Sequence, residues 1–387
     1  MITQPLVLMG TTRAWHLPQT ALGLERKDAL ASLWMSDKNS IRLPLQKYAR
    51  CWPYHFAMKP FYHMAPQVWN ERATYIMIGL WKKWVRERMA SKSPKHNIVH
   101  SVVGFASEMF DAADKTGALK VLDCPNSHPT SYYGFWQREC DLWCPGERVP
   151  IPWWMFSRMN RELERADMIV VQSLFCRESM IWNGVPEHKI FVNPMGVDTS
   201  VFLPRSEVPD KPQFISVGTI CLRKGHQYLF RAFEKVRRRL PGAELICVGN
   251  YKRDFRMERP RWEGTFTHIP TLTHPELASL LRGCTAFVFP SQEEGIARAQ
   301  IEALASGLPV IGTHEGGATT LIRDGEEGFI VRGRDPDHIA HAMIRIASDS
   351  GENMRMGNNA YMKGGFGNSW QDYSDRLVEE YRKRLNS

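Results

Sequence analysis

The sequence predicts an α/β protein with two doubly wound, Rossmann-like domains that face each other across a cleft. Short apolar runs alternate with longer amphipathic segments along the chain, as in parallel βαβ units. A polar, proline-containing stretch, Met195–Gln213, separates two series of such runs and is interpreted as a linker. The length of 387 residues also exceeds that of one ordinary domain, which is roughly 100–200 residues.

The predicted strands are apolar runs bounded by turn residues. The first series comprises Pro5–Gly10, Asn97–Gly104, Leu119–Cys124, Met168–Ser173 and Ile190–Pro194. The second comprises Phe214–Gly218, Glu244–Gly249, Ala286–Ser291, Pro309–Thr313 and Gly328–Val331. Helices are predicted over Gln227–Leu240, Pro275–Arg282 and Arg298–Ser306. Because ligands bind beyond the carboxyl ends of the strands in such sheets, the cleft between the domains is the expected site.

We divide the chain into an N-terminal domain over residues 1–195, a C-terminal domain over 196–367 and a terminal helix over 368–387. Apolar side chains recur in that helix at helical spacing, at Trp370, Tyr373, Leu377, Val378, Tyr381 and Leu385. The pattern leaves two alternatives open. The helix packs on the nearer, C-terminal domain, or it crosses back to the N-terminal domain.

Composition and charge narrow the class of protein. The eight cysteines are scattered without a Cys-x-x-Cys pair, which indicates free thiols in a reducing compartment. No run reaches the roughly 18 apolar residues of a membrane span, and Met1–Gly10 lacks the basic region of a signal peptide, so we expect a cytoplasmic protein. The net charge of +9 favours an anionic partner: nucleotide phosphates, an anionic lipid surface or nucleic acid.

The most informative stretch is FPSQEEGIARAQIEALASGLPVIG, Phe289–Gly312. It predicts a strand, a loop that contains Glu294 and a helix that contains Glu302. The separation between Glu294 and Glu302 is too long for an acid–base pair that acts on one atom. It suits an extended ligand whose hydroxyls the two carboxylates bind. The helix N-terminus favours a diphosphate at the same loop. The alternative is a surface pair of Arg298 and Glu302. Small neighbours that would leave room for a ligand are Ala299, Ala305 and Ser306.

Two further stretches follow predicted strands. In FISVGTICLRKGH, Phe214–His226, Arg223 and Lys224 stand at the start of a helix, where their charge opposes the helix dipole unless an anion joins them. A phosphate would be such an anion, and a solvated basic loop is the alternative. In HEGG, Gly316 and Gly317 either let backbone approach a ligand or serve only a tight turn.

These motifs resemble the donor-binding domain of the retaining glycosyltransferases of the two-domain GT-B fold that form family four. The resemblance runs from Phe214 to Ile346 and keeps order and spacing. It rests on VG…KG (Val217–Gly225), FPS…EG (Phe289–Gly295), two glutamates with seven residues between them, EALASGLPVI (Glu302–Ile311) and GG…IRDGEEGFIV (Gly316–Val331). Outside this range, ERADMIVVQS, KIFVNPMGVDTSVF and the crossover-like FGNSWQDYSDRLVEEYRKRL also resemble the family.

The resemblance implies a role for each matching residue. Glu302 would bind the ribose of the nucleotide, Glu294 the donor sugar and Lys224 the diphosphate. With His128, Glu294 and Lys224 form the expected catalytic set. The other implied donor contacts are Gly218, Thr219, Arg223, Gly295, Ile296, Gly316 and Gly317.

Three positions depart from the family's pattern. Thr219 stands where arginine is frequent, Ala297 replaces the last glycine of the EGFG loop, and Thr320 stands where glutamate is frequent. These departures weaken the inference of the sugar and of the phosphate contacts from the resemblance. They affect the inference of the reaction class less.

The N-terminal domain, where the acceptor is expected, offers fewer signals. The first strand ends in Gly10, as expected of a Rossmann-like loop near phosphates. His128, within PNSHP, resembles a histidine found near the donor sugar in this family, and the alternative is a loop histidine that caps a turn. Asp123 is a weaker candidate. Trp153 and Trp154 are interpreted as a lid or an acceptor wall.

A basic aromatic stretch, Trp81–His96, could lie as an amphipathic helix on an anionic membrane. The alternative is a helix whose tryptophans belong to the core and whose charged face is solvated.

The resemblance implies a retaining glycosyltransferase, without a cofactor, that moves a hexose from a UDP- or GDP-linked donor to an acceptor hydroxyl. Because no Asp-x-Asp or acidic cluster stands near the expected donor site in the sequence, we expect the transfer to be metal-independent. The acceptor would be a sugar, a lipid-linked or a small molecule, in the synthesis of cell-surface polysaccharide or glycolipid. One rival is an NAD-type Rossmann oxidoreductase, but no G-x-G-x-x-G follows Pro5–Gly10. Another is a non-catalytic basic interaction protein, which would leave Glu294 and Glu302 unexplained. Nucleic acid is not an expected partner.

Overall fold

The computed structural model describes residues 3–11, 16–35, 43–51, 67–92, 94–149, 151–365 and 367–387. The strands of its first half are Val7–Thr11 (β1), Leu30–Met35 (β2), Ala49–Cys51 (β3), Ile98–Val102 (β4), Leu119–Cys124 (β5), Met168–Val171 (β6) and Ile190–Val192 (β7). They form one seven-stranded sheet in the order β3-β2-β1-β4-β5-β6-β7, with all neighbours parallel.

The strands of the second half are Gln213–Val217 (β8), Glu244–Val248 (β9), Thr267–Ile269 (β10), Ala286–Phe289 (β11), Val310–Thr313 (β12) and Gly328–Val331 (β13). They form a second parallel sheet in the order β10-β9-β8-β11-β12-β13. Two separate parallel sheets confirm the predicted fold class. The sequence pattern does not reveal β2, β3 and β10. The last two have three residues each, which is too short to show a periodicity.

Helices connect the strands and cover both sheets. Those of the N-terminal half are Leu17–Glu25 (α1), Gln67–Lys92 (α2), Ser107–Thr116 (α3), Pro129–Trp143 (α4), Trp153–Arg165 (α5) and Leu174–Trp182 (α6). The remaining helices are His226–Arg239 (α7), His274–Arg282 (α8), Arg298–Ala305 (α9), Ala318–Leu321 (α10), Pro336–Ser348 (α11), Ser350–Gly365 (α12) and Trp370–Leu385 (α13). The predicted ends of α7, α8 and α9 agree with these bounds to within one residue.

The C-terminal helix α13 crosses back to the N-terminal domain. Its side chains Tyr373, Leu377 and Tyr381 are fully buried in the core that also contains strands β1 and β4. The chain leaves the C-terminal domain beside Gly196, where a Cβ atom would come within 2.5 Å of the Trp370 backbone nitrogen. Of the two alternatives that the helical pattern left open, the structure has the crossing.

The stretch Met195–Gln213 is not a free linker. Met195, Val197 and Phe202 are buried in the core of the C-terminal domain, and Gln213 begins β8. The Arg205 guanidinium is also buried and donates a 2.6 Å hydrogen bond to the Cys284 carbonyl. The segment connects the two series of strands, as interpreted from the sequence, but its apolar side chains and Arg205 anchor it to the C-terminal domain.

The basic aromatic stretch lies mainly in helix α2, which ends at Lys92 rather than near His96. Trp81 and Trp84 are buried in the N-terminal core, stacked on each other at 5.4 Å between ring centroids. Of the two alternatives that the sequence left open for this stretch, the structure has the core position for these two tryptophans. Among the described residues, no helix combines the length and the apolar character needed to cross a bilayer.

Candidate functional site

The loop between β8 and α7 carries the two candidate phosphate cations. β8 ends at Val217, and helix α7 begins at His226 after Gly225. The Lys224 side chain folds back over the strand end, so that its Nζ lies only 3.0 Å from where a Cβ on Gly218 would be. Gly218 has φ +140°, a backbone conformation that favours glycine. Glycine at this position therefore leaves the room that the ammonium group occupies.

Two glutamates of the loop between β11 and α9 supply the negative charge that these cations need. The Glu294 carboxylate lies 3.2 Å from Lys224 Nζ and 3.3 Å from Arg223 Nη1. The Glu293 carboxylate lies 2.8 Å from the same Arg223 nitrogen. The expectation that the cations require an anion thus holds, but in this structure the anions belong to the protein itself.

The protonation of the two glutamates differs because their surroundings differ. Burial alone would raise the pKa of Glu294, but Lys224 and Arg223 hold it below its usual range. Burial raises the pKa of Glu293, and Arg223 only partly opposes that effect. The two cations thus favour the ionised form of Glu294, whereas burial opposes ionisation of Glu293, and Arg223 and the Ser127 hydrogen bonds favour it.

Arg223 and Lys224 occupy different environments. The Arg223 guanidinium donates to both glutamates and lies against the rings of Tyr132 and Trp136 on α4, 5.5 and 5.9 Å from their centroids. Lys224 has one carboxylate partner and lies 5.1 Å from the Phe289 ring centroid. This geometry favours Lys224 over Arg223 as the direct ligand of a phosphate, because the guanidinium is already committed to protein groups.

Glu302 is a buried carboxylate on the second turn of α9. It makes no hydrogen bond to the described residues, and its ion-pair contact is His274 Nε2 at 4.0 Å. Burial raises its pKa, with Arg298 and His274 opposing. The alternative of a surface ion pair with Arg298 is not seen, since no contact within 4.0 Å joins the two described side chains. Arg298 is exposed and lowers the pKa of Glu302 only through a longer-range charge effect. A carboxylate in this position has acceptor capacity left for a ligand.

The small residues around Glu302 do not line an open surface. Ala299 and Ala305 are part of the core under α9, and Ser306 is fully buried with its hydroxyl on the Glu302 carbonyl at 2.9 Å. The interpretation that they leave room for a ligand is wrong, because small side chains there let the helix pack closely on the sheet.

Gly295 lies where the two domains touch. A Cβ atom on Gly295 would overlap the carbonyl oxygen of Pro125, which belongs to the N-terminal domain. The neighbouring glycines follow β12: Gly316 donates its N–H to Thr313 Oγ1 at 3.0 Å, and Gly317 donates to the His314 carbonyl at 2.9 Å. In this structure the tight-turn alternative accounts for Gly316 and Gly317, and any contact with a ligand stays a prediction.

His128 caps the N-terminus of helix α4. The ring Nδ1 accepts the backbone N–H of Thr130 at 3.2 Å, and the backbone N–H of His128 donates to Ser179 Oγ at 2.9 Å. Burial lowers the pKa of His128 to about 4, so the ring is neutral near pH 7. With Nδ1 as the acceptor, the hydrogen resides on Nε2, which can donate to a ligand but cannot take up a proton as a base. The capping alternative is present, and it is compatible with a binding role through Nε2.

Asp123 is a core residue. It is fully buried and accepts a 2.7 Å hydrogen bond from His16 Nε2, with His100 Nε2 at 3.3 Å. His100 in turn bonds the Tyr381 hydroxyl of α13. Burial would raise the pKa of Asp123, but the two histidines hold it below its usual range. Asp123 thus ties the crossing helix to the N-terminal sheet, which gives this weaker candidate a structural role.

The remaining predicted contacts are distributed around the strand ends. Thr219 is half-buried after β8, and the Gly10 carbonyl at the end of β1 accepts from Ser101 Oγ at 2.7 Å. Ile296 is buried in the C-terminal core, so only its backbone is available to a ligand. Trp153 is 77% exposed at the start of α5, while Trp154 packs against Tyr75 at 5.4 Å between centroids.

Sequence reasoning missed two buried glutamates at the domain interface. Glu293 contacts both Arg223 and Ser127, and Glu139 of α4 accepts from Arg334 Nε at 2.7 Å. Neither residue stands out in the sequence. The only local signal for Glu293 is that two glutamates are adjacent in SQEEG.

Comparison with known proteins agrees with this architecture. Residues 203–363 match the family model described as glycosyl transferases group 1. The chain is 31% identical over 221 residues to a D-inositol 3-phosphate glycosyltransferase of Paenarthrobacter aurescens, which covers 52% of this chain and 54% of the relative. It is 27% identical over 232 residues to a GDP-mannose-dependent alpha-(1-6)-phosphatidylinositol monomannoside mannosyltransferase of Mycolicibacterium smegmatis, covering 54% and 61%. The chain therefore spans about half the length of the first of these relatives.

Solved structures resemble the whole chain. A sucrose-phosphate synthase from Thermosynechococcus elongatus superposes with a TM-score of 0.71 at 16% identity, covering 99% of this chain and 100% of the other. The Anabaena protein HepE in complex with UDP and glucose superposes with a TM-score of 0.69 at 13% identity, covering 98% and 100%. At these identities the likeness establishes the shared two-domain GT-B fold.

Proposed function

We propose that this chain, whose residues 203–363 belong to the glycosyl transferases group 1 family, is a retaining glycosyltransferase that moves a hexose from a UDP- or GDP-linked donor to an acceptor hydroxyl. Donor and acceptor would meet between the domains, with the donor on the C-terminal domain. The reaction would need neither a metal ion nor a cofactor.

The observation that carries the proposal is Glu302. A mostly buried carboxylate without a hydrogen-bond donor among the described residues is costly unless a ligand satisfies it. A ribose offers two vicinal hydroxyl donors to such a carboxylate. The position also follows from the fold, because α9 begins beyond the carboxyl end of β11, where ligands of parallel sheets bind.

The diphosphate would lie between Lys224 and the start of α9. The N-cap residue Ala297 provides no side-chain cap, and its carbonyl accepts the Gln300 N–H at 2.9 Å, so an anion would bind the N–H groups of Arg298 and Ala299. Lys224 supplies a compact positive charge on the other side. On donor binding, the phosphate oxygens would share Lys224 with Glu294, whose carboxylate would turn to the hydroxyls of the sugar.

The chemistry would follow from these positions. The bond between the anomeric carbon and the phosphate oxygen breaks, and the acceptor oxygen forms its bond on the same face of the sugar. The acceptor proton passes to the departing phosphate oxygen. Lys224 and the helix N-terminus stabilise the negative charge that grows on the diphosphate. His128, neutral and protonated on Nε2, donates a hydrogen bond to the sugar. Closure of the domains excludes water.

The proposal for the acceptor side concerns contact with a membrane. Contact with the inner face of an anionic membrane, in the synthesis of cell-surface polysaccharide or glycolipid, would use exposed side chains rather than Trp81 and Trp84. Those side chains are Tyr75, Ile76, Lys82 and Lys83 of α2 and Trp153 of α5. Aromatic and basic groups on one surface suit an interfacial lipid contact.

Replacing Gly295 with alanine is expected to separate nucleotide binding from turnover. The new methyl group would overlap the Pro125 carbonyl and hold the domains apart, whereas Glu302 and Lys224 keep their positions. Turnover of the donor should fall about 10²-fold, as expected for misplaced reacting groups. Calorimetry with UDP and GDP, together with initial rates, measures both effects. Gly134→Ala is the control, because nothing lies within 4 Å of that Cβ position. Unchanged turnover in Gly295→Ala would contradict the closed arrangement.

A thermal-shift panel tests the proposed function directly. UDP-glucose, GDP-mannose and ADP-glucose would be compared with NAD and with duplex DNA at two salt concentrations. A ligand at 100 times its Kd stabilises the folded state by about 2.7 kcal/mol, so the correct donor should raise Tm clearly. The oxidoreductase rival predicts stabilisation by NAD alone. The basic interaction protein predicts a response to DNA that disappears as salt rises. Either result without a nucleotide-sugar response would exclude the proposal.

A further inference from the structure

Glu293 lies at the contact between the two domains with no exposed surface. It precedes Glu294, the residue that the sequence motifs single out, yet it makes more contacts across the interface. Its carboxylate binds groups of both domains at once. Because a buried charge is costly unless every oxygen is satisfied, this arrangement points to a specific role.

On the side of the C-terminal domain, Glu293 holds Arg223. Its Oε2 accepts from Arg223 Nη1 at 2.8 Å, and its backbone carbonyl accepts from the same nitrogen. The Ser291 hydroxyl also donates to that carbonyl at 2.9 Å. Arg223 is thereby held next to Lys224, whose ammonium group pairs with Glu294 at 3.2 Å and is the cation proposed to face a phosphate.

On the side of the N-terminal domain, Glu293 holds the turn that precedes His128. Its Oε1 accepts from the Ser127 backbone N–H at 3.0 Å and from the Ser127 hydroxyl at 2.8 Å. The Asn126 amide contributes a longer contact of 3.4 Å to Oε2. The next residue is His128, the N-cap of α4, so the position of Ser127 sets the position of the imidazole.

Helix α4 reinforces this connection. It belongs to the N-terminal half of the chain but packs on the C-terminal domain, where Trp136 Nε1 donates to Asp254 at 2.8 Å. The fully buried Glu139 accepts from Gln227 at 2.8 Å and from Tyr228 at 2.9 Å. Glu293 therefore holds the loop before His128, and these contacts hold the helix that follows it.

We propose that Glu293 is a positioning residue that couples the cation pair Arg223 and Lys224 to His128 across the domain interface. This role rests on the proposed function. Glu293 touches neither substrate, but it places His128 against the donor only when the domains are closed. Loss of its charge would leave nucleotide binding to Glu302 and Lys224 intact and would impair the step that needs both domains.

The test compares Glu293→Gln and Ser127→Ala with wild type. Glutamine keeps the shape of Glu293 but replaces one acceptor oxygen with an NH₂ group that faces Arg223 unfavourably. Alanine at position 127 removes the hydroxyl bond from the other domain.

The probes are UDP and GDP for affinity by calorimetry, and release of nucleotide from UDP-glucose and GDP-mannose for kcat and KM. Both variants should lower kcat about 10-fold to 100-fold, from the loss of charged hydrogen bonds. KM and nucleotide affinity should change less than about threefold. The double variant should be no slower than Glu293→Gln alone, because one contact is shared.

The matched control is Glu178→Gln, which removes a different ion pair across the interface, with His314 Nε2 at 2.7 Å. It should behave like wild type. Equal losses in kcat and nucleotide affinity, or a kcat that Ser127→Ala leaves unchanged, would overturn the positioning role. If Glu293→Gln does not fold, Ser127→Ala still reports the same contact. Wild-type protein that binds neither UDP nor GDP would instead overturn the proposed function, which distinguishes the two failures.

Discussion

Replacing Glu302 with alanine is expected to abolish saturable binding of the nucleotide. The carboxylate would accept two hydrogen bonds from the ribose, and hydrogen bonds to a charged group contribute about 1.5–3 kcal/mol each. The loss of both corresponds to a decrease in affinity of roughly 10²-fold or more. Because the helix packs through its alanine neighbours rather than through this side chain, the fold should persist. Isothermal titration with UDP and GDP measures the effect.

Two companion variants sharpen the interpretation. Glu302→Gln keeps one acceptor oxygen, so its affinity should lie between those of alanine and wild type. Glu234→Ala removes an exposed glutamate of α7 and should leave binding unchanged. If Glu302→Ala binds either nucleotide as tightly as wild type, the assignment of Glu302 to the ribose is wrong.

Replacing Lys224 with alanine is expected to decrease kcat by about 10²–10³-fold, the usual effect of removing one group that stabilises charge in the transition state. Lys224 is the cation with a single carboxylate partner, whereas Arg223 is bound to two. Its charge would act mainly on the departing diphosphate, so kcat should fall more than nucleotide affinity. Initial rates of nucleotide release from UDP-glucose and GDP-mannose, with calorimetry on the same samples, measure both quantities.

The crowding at Gly218 makes a second variant informative. Lys224→Arg keeps the charge, but the larger guanidinium must occupy the space beside Gly218 where Nζ now lies, so rescue should be poor. Lys235→Ala, at a partly exposed lysine of α7 paired with Asp337 at 2.5 Å, serves as the charge-matched control. A Lys224→Ala variant with the kcat of wild type would show that the diphosphate is held elsewhere.

The sequence by itself determined the architecture and indicated the residues of the candidate site. Short apolar runs suffice to identify parallel strands such as β6 and β11, because a strand buried on both faces is apolar along its whole length. The loops after β8 and β11 follow from the ends of those runs, and their charged residues follow from their positions in the chain. Local pattern therefore indicated Lys224, Glu294 and Glu302 as candidates.

Only the tertiary structure decided which partner each of these groups has. The pattern of α13 was compatible with either domain, and its burial against β1 depends on the path of the chain past Gly196. Trp81 and Trp84 could be lipid-facing or core, and the helices packed against them made them core. Glu293 lies within a recognisable motif, yet its proposed role depends on Ser127, which lies 166 positions away in the sequence. Contacts between distant segments have no local periodicity, and for that reason the sequence could locate the charges but not pair them.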